Sequence, residues 1–175
     1  PVVTGDFGAA EPSAFTLEHC FGLLDHAGYE VACVLDGPDV ECAGTLWGGN
    51  LAMVAHLAGS PYFPAVDGGV LFLEDVGETP YRIERMLYQL HHAGVLARQS
   101  AILLGRFTEY VLCDNDGGYD RATVVAQLRS VCATPILTGL PFGHVPDKLT
   151  LPVGGRCTLA VRGGAATLAF SDYGR

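Results

Sequence analysis

The chain has 175 residues, about half of them hydrophobic and 17% charged, which predicts one folded domain with a real core and excludes a disordered chain. Ten basic residues against 19 acidic ones leave a net charge of −9, with no Lys/Arg run or stripe, so neither nucleic acid nor an anionic membrane is an expected partner. No apolar stretch approaches the ~20 residues of a membrane-spanning helix.

The chain opens on Pro1, with no Met and no signal peptide, as a segment lying inside a longer protein would. Leu17, Cys20, Phe21 and Leu24 repeat at i, i+3, i+4 and i+7, which predicts a helix over residues 17–27 that Gly28 stops. "YEVACVL" and "GTLW" read as strands. Asn50 is a natural cap for a helix with Leu51, Val54, Ala55 and Ala58 on one face. "GVLFL" is a buried strand that runs into two acids, Glu74 and Asp75. Thr79 and Pro80 offer a cap and a first-turn proline for a helix striped by Ile83, Met86, Leu87 and Leu90 and ended by Gly94. "SAILLG" is a strand, Asp120 caps a helix carrying Val124, Leu128 and Val131, and "TPILTGL" is again a strand. Then the pattern changes: "KLTLPV", "RCTLAV" and "AATLAF" read as short antiparallel strands separated by glycine turns.

Alternating strands and helices followed by a run of strands predict an α/β fold. Its central sheet is largely parallel, with right-handed crossovers, helices packed on it and a C-terminal β meander. Ligands of such sheets gather beyond the carboxyl ends of the strands. Three segments leave that edge with unusual chemistry: "GTLWGGN", "VLFLEDV" ending on Glu74 and Asp75, and "PILTGLPFGHVPDK" ending on Gly143, His144 and Asp147.

A glutamate and a histidine on one rim are two parts of a charge-oriented base. The carboxylate fixes the imidazole tautomer and stabilises its protonated form, and the imidazole takes a proton from a nucleophile. Blander readings stand beside this one: a His among Pro and Gly bonds to backbone, and a strand-end Glu is solvated. A nucleophile is missing. Ser13, Ser60, Ser100, Ser130 and Ser171 are the only serines, none in a G-x-S-x-G elbow, and no cysteine stands at an activating helix start. Asp75 points to the face opposite Glu74 by strand alternation and reads as structural.

The "GGN" loop has two readings. One is a glycine turn and an Asn cap. The other is a peptide-carboxylate contact made by Gly48, Gly49 and Asn50 at a helix start, with Trp47 as a wall. "DNDGG" at 114–118 begins like a calcium loop, lacks the remaining ligands and reads as a turn. Adjacent His91 and His92 face different sides of their helix and do not read as a metal site. Cys20, Cys33, Cys42, Cys113, Cys132 and Cys157 form no C-x-x-C pair; they read as buried free thiols of a reducing cytosol rather than as a metal cluster or disulfide frame.

The ordered segments "GTLWGGNL", "GSPYFP", "LFLEDVGETPYRIERML" and "PFGHVPDKLTLPVG" resemble the C-terminal half of the murein LD-carboxypeptidases, and "PVVTGDFG" resembles the segment where that half begins. The resemblance covers nearly the whole chain. It implies that residues 1–175 form a three-layer β/β/α swivelling-type domain, the C-terminal domain of a two-domain cytoplasmic serine peptidase. In that family the N-terminal domain carries a serine nucleophile, and the C-terminal domain supplies the Glu and His of a Ser–His–Glu triad. By motif these are Glu74 and His144 here; the nucleophile and most of the oxyanion hole then belong to a domain absent from this chain. The implied reaction removes the terminal D-Ala of murein tetrapeptides in cell-wall recycling, without metal or cofactor. The implied partners are that peptide, the N-terminal domain and a second copy in a homodimer. Two alternatives stay open: a relative that cleaves a peptide–nucleotide antibiotic and confers immunity, and a non-catalytic dimerisation or docking module.

Overall fold

The computed structural model describes Val3–Thr4 and residues 11–174, so all of "PVVTGDFG" except Val3–Thr4 lies outside the described residues. β1 (Val3–Thr4) precedes α1 (Ala14–Asp25), β2 (Tyr29–Val34) and β3 (Val40–Asn50). α2 (Leu51–Leu57), β4 (Val70–Val76), α3 (Pro80–His92), β5 (Ala101–Thr108), α4 (Arg121–Val131) and β6 (Ile136–Thr138) alternate through the middle. β7 (Thr150–Leu151), β8 (Arg156–Arg162) and β9 (Ala165–Ser171) close the chain.

The main sheet runs β2-β9-β8-β3-β4-β5-β6. β3, β4, β5 and β6 are parallel neighbours, and β2, β9, β8 and β3 are antiparallel ones. β3 joins the two halves. Its first part, Val40–Thr45, pairs antiparallel with β8, and Leu46–Asn50 then pairs parallel with β4. The strand read as "GTLW" is therefore longer than expected. The "VECA" portion has no fully buried position and includes the exposed Glu41, a weaker signal than an apolar run. "KLTLPV" also departs from expectation: β7 leaves the meander and pairs with β1 in a separate two-stranded sheet.

Strand alternation divides the core in two. Leu71 and Leu73 of β4 and Ile102 and Leu104 of β5 pack under α2, α3 and α4. Val70 and Phe72 of β4 and Leu103 of β5 face the other way, toward Leu23 of α1, Leu151 of β7, and the inner residues of β8 and β9. Helices thus cover one face of the parallel strands, and α1 with the small sheet covers the other. The α/β class with its central parallel strands, packed helices and terminal strands stands as read from the sequence.

Two helix details differ from the sequence reading. α1 starts earlier, capped by the Ser13 hydroxyl, which accepts from the Thr16 amide at 3.2 Å. Its buried stripe is Thr16, Cys20 and Leu23, while Phe21 and Leu24 are 57% and 56% exposed. The polar Thr16 is drawn inward by its hydrogen bonds to Pro146 and Lys148, described below. Thr79 occupies the cap position of α3, but its hydroxyl makes no capping bond.

The cysteines are free thiols, but they are not uniformly buried as expected: Cys20, Cys132 and Cys157 are buried, Cys33 and Cys42 half-buried, and Cys113 exposed. Burial pushes the Cys157 thiol up to about 12 and raises those of Cys33 and Cys42. An aromatic disulfide reagent at pH 8 should modify Cys113 first and reach Cys157 only on unfolding, as peptide mass spectrometry would show; equal rates at the two would contradict this burial pattern.

Candidate active site

Val70–Leu73 are fully buried, and this rigid run delivers Glu74 to the sheet rim with only 5% of its surface exposed. Glu74 continues the Val70–Phe72 face, away from the helices. The register between β4 and β5 shifts after Leu73: β5 carries one extra residue beside Glu74 before the pairing resumes at Asp75 and Phe107. The slot for the carboxylate is made by two glycines. A Cβ on Gly105 would lie 2.5 Å from the Phe142 carbonyl oxygen and 3.4 Å from Glu74 Cβ. Gly143 has φ +132°, and a Cβ there would lie 2.8 Å from the Arg106 carbonyl oxygen and 3.3 Å from Glu74 Oε2. Gly105 escaped the sequence reading. Its signal is a glycine ending the buried run "SAILL", the position where another backbone comes close.

His144 meets Glu74 across this slot, Nδ1 to Oε2 at 3.0 Å. The structure therefore brings together the two residues that the sequence placed on one rim. Their loop is tied down on both sides. The Phe142 ring packs edge-on against Phe72, with centroids 5.0 Å apart, and its carbonyl accepts from the Arg106 amide at 2.8 Å. The Leu149 amide donates to the Pro141 carbonyl at 2.7 Å. From α1, the Thr16 hydroxyl donates to the Pro146 carbonyl at 2.8 Å and accepts from the Lys148 amide at 3.1 Å.

The electrostatics follow from the inventory of donors. An ionised carboxylate only accepts, so Nδ1 carries the proton and Nε2 is left with its lone pair. The His144 side chain is 38% exposed against 6% for Glu74. Nε2 has no hydrogen-bond partner among the described residues. The arrangement is a base with one nitrogen anchored on a buried charge and the other open to a reacting group.

Asp75 is structural. It accepts from Asn50 Nδ2 at 2.7 Å, from the Ala52 amide at 2.9 Å and from its own neighbour Val76 at 2.9 Å. Asn50 Oδ1 in turn accepts from the Met53 amide at 3.1 Å. The Ala52 and Met53 amides at the start of α2 are thus satisfied within the chain, so they add no free donors to the peptide-carboxylate contact read for Gly48, Gly49 and Asn50. Gly48 is there because a Cβ would fall 1.9 Å from the Phe72 carbonyl oxygen. Gly49 adopts φ +141° with open space beside it. Trp47 is not a wall. It is 5% exposed on the helix side of the sheet, donates to Gln99 Oε1 at 2.8 Å and packs on Phe63. "DNDGG" forms a tight turn in which Asp116 accepts from the Cys113 amide and the Tyr110 hydroxyl. Among the described residues no group of three His, Cys, Asp or Glu side chains could hold a metal ion.

A family model described as the LD-carboxypeptidase C-terminal domain matches residues 43–159. The murein tetrapeptide carboxypeptidase of Pseudomonas aeruginosa is 34% identical over 123 residues, 69% of this chain and 39% of that protein. The microcin C7 self-immunity protein of Escherichia coli is 33% identical over 128 residues, 72% of this chain and 36% of that protein. A crystal structure of a muramoyltetrapeptide carboxypeptidase from Oxalobacter formigenes superposes with a TM-score of 0.94 at 47% identity, covering 99% of this chain and 62% of that one. The chain spans about two fifths of the length of the curated relatives it matches.

Two substitutions test how the His144 loop is held. Thr16→Val keeps the shape but leaves the Lys148 amide and Pro146 carbonyl without their partner, and should cost about 1–3 kcal/mol in denaturant unfolding. Gly143→Ala forces a strained φ and a contact with the Arg106 carbonyl, and should cost about 2–3 kcal/mol. Wild-type stability in either variant would contradict the described anchoring.

Proposed function

The chain belongs to the LD-carboxypeptidase C-terminal domain family, and on that premise we propose that it is the C-terminal domain of a serine-type enzyme that removes the terminal D-Ala of murein tetrapeptides. Glu74 and His144 are the Glu and His of its triad. A serine on the remainder of the longer protein is the nucleophile. His144 Nε2 takes the serine proton as the oxygen attacks the peptide carbonyl, and Glu74 stabilises the resulting imidazolium. The same nitrogen then protonates the departing D-Ala amine. Water hydrolyses the acyl-enzyme by the reverse use of the base. Backbone amides on the nucleophile's domain hold the oxyanion. The observation that carries this reading is the 3.0 Å Glu74–His144 pair, with the His144 side chain partly exposed and Nε2 without a partner among the described residues.

The proposed setting is cytoplasmic cell-wall recycling, with the N-terminal domain and a second copy as partners. No helix among the described residues is long and apolar enough to cross a membrane. Likeness to the solved muramoyltetrapeptide carboxypeptidase over nearly the whole chain favours a murein peptide over the peptide–nucleotide substrate of an immunity enzyme.

The assay is D-Ala release from a tetrapeptide. In the longer protein, Glu74→Gln should lower turnover by roughly 10³–10⁴-fold with the fold intact, because the charge that supports imidazolium is gone. Exhaustive chelation should leave wild-type turnover unchanged. Residues 1–175 alone should release no D-Ala, since proton abstraction needs the serine oxygen within hydrogen-bond reach of Nε2. Near-normal turnover by Glu74→Gln, or robust release by the chain alone, would overturn the assignment.

A further inference from the structure

Although the chain carries a net charge of −9, three arginines line one cleft of about 560 Å³ between α4 and the carboxyl ends of β5 and β6. That size falls within the range of small-ligand sites. One arginine has a structural task. Arg129 reaches from α4 to Asp36 Oδ2 at 3.1 Å, to the Asp36 carbonyl at 2.7 Å and to the Ile136 carbonyl at 3.1 Å. Asp36, the acid that lines the cleft, is thereby engaged, and its backbone is locked to Thr138 of β6 by a two-way amide–carbonyl bridge. The wall on that side is rigid.

The other two arginines have no such task. Among the described residues neither the Arg106 nor the Arg121 guanidinium makes a hydrogen bond or ion pair. Leu104, Phe107 and Val125 give the cleft an apolar floor between them. Two cations beside an apolar floor, with the local acid neutralised, suit an anionic group on a short apolar stem. A guanidinium fork fits a carboxylate with two parallel hydrogen bonds.

One lining residue of the cleft, Arg106, also borders the loop that carries His144. The β5 segment that seats Gly105 against Glu74 carries Arg106 next, and the Arg106 amide binds the Phe142 carbonyl at 2.8 Å. A Cβ on Gly143 would lie 3.3 Å from Arg106 Cβ. We propose that this cleft is a subsite for a side-chain carboxylate of an acidic peptide, held by Arg106 and Arg121. The peptide nature of the ligand rests on the function proposed above; the preference for a carboxylate rests on the cleft itself.

The test is an NMR titration of the chain, following the Nε–H signals of the arginines. The probes are a murein tetrapeptide and the same peptide with its side-chain carboxylates amidated. The acidic peptide should shift Arg106 and Arg121 saturably, and the amide should bind at least about tenfold more weakly, the loss expected for a charge-assisted hydrogen bond. Arg106→Gln/Arg121→Gln should remain folded by its amide spectrum and bind the two peptides alike. Equal binding of acid and amide by the wild type, no shift at either arginine, or retained discrimination in the double variant overturns the proposal. So does an equal response to inorganic phosphate, which would mark a general anion site. D-Ala release by the longer protein together with any of these results removes the subsite and keeps the peptidase. Discrimination at the arginines without D-Ala release removes the peptidase and keeps the subsite.

Discussion

A carboxylate taken out of water at the end of a dry strand needs a partner, and much of this site can be derived from that requirement. Glu74 is delivered by four fully buried residues, so its backbone cannot retreat to solvent. Among the described residues, the side chain that answers it is His144, at 3.0 Å. To let the histidine loop come so close, β5 and the loop must both be bare where they pass the carboxylate, and Gly105 and Gly143 are the residues there. The buried run ends on two acids because each serves a different face. Glu74 orients an imidazole on one side, and Asp75 fastens the start of α2 on the other.

An orienting pair is useful only if it does not wander. Here the constraint is distributed. Phe72 holds the loop through Phe142, β5 holds it through the Arg106 amide, and α1 holds it through Thr16. These anchors come from both sides of the loop and from elements far apart in sequence. They explain why α1 turns a threonine inward and leaves Phe21 and Leu24 outside. What remains free is Nε2, the atom through which the histidine would act. The arginine cleft shares the β5 anchor, so the position of the base and the proposed grip on an acidic peptide rest on one segment, Gly105–Arg106.

The parallel half of the fold was legible because its signals are dense. β4 and β5 are continuous apolar runs, α3 has a full stripe, and Asn50 and Asp120 cap their helices as their side chains suggest. Glu74 and His144 were legible as residues at the carboxyl ends of parallel strands. Other features depend on long-range contacts that no local pattern encodes. The inward face of α1 is chosen by a loop 130 residues away. The outer half of β3 is defined by its pairing with β8, and β7 by its pairing with β1. Trp47 looked like a wall because an aromatic beside glycines suggests a binding surface; Gln99, which gives its indole a buried acceptor, lies 52 residues on. The arginine cleft was invisible for the same reason, since Arg106, Arg121 and Arg129 are spaced along two elements and form no run.

The central claim is that Glu74 fixes the tautomer of His144, and nitrogen-15 NMR of the histidine-labelled chain reads this directly. At a pH where the imidazole is neutral, the account requires a proton on Nδ1 and a bare lone pair on Nε2, with that preference weakened when Glu74 becomes Ala. A proton found on Nε2, or the same tautomer ratio with and without the Glu74 carboxylate, would contradict it.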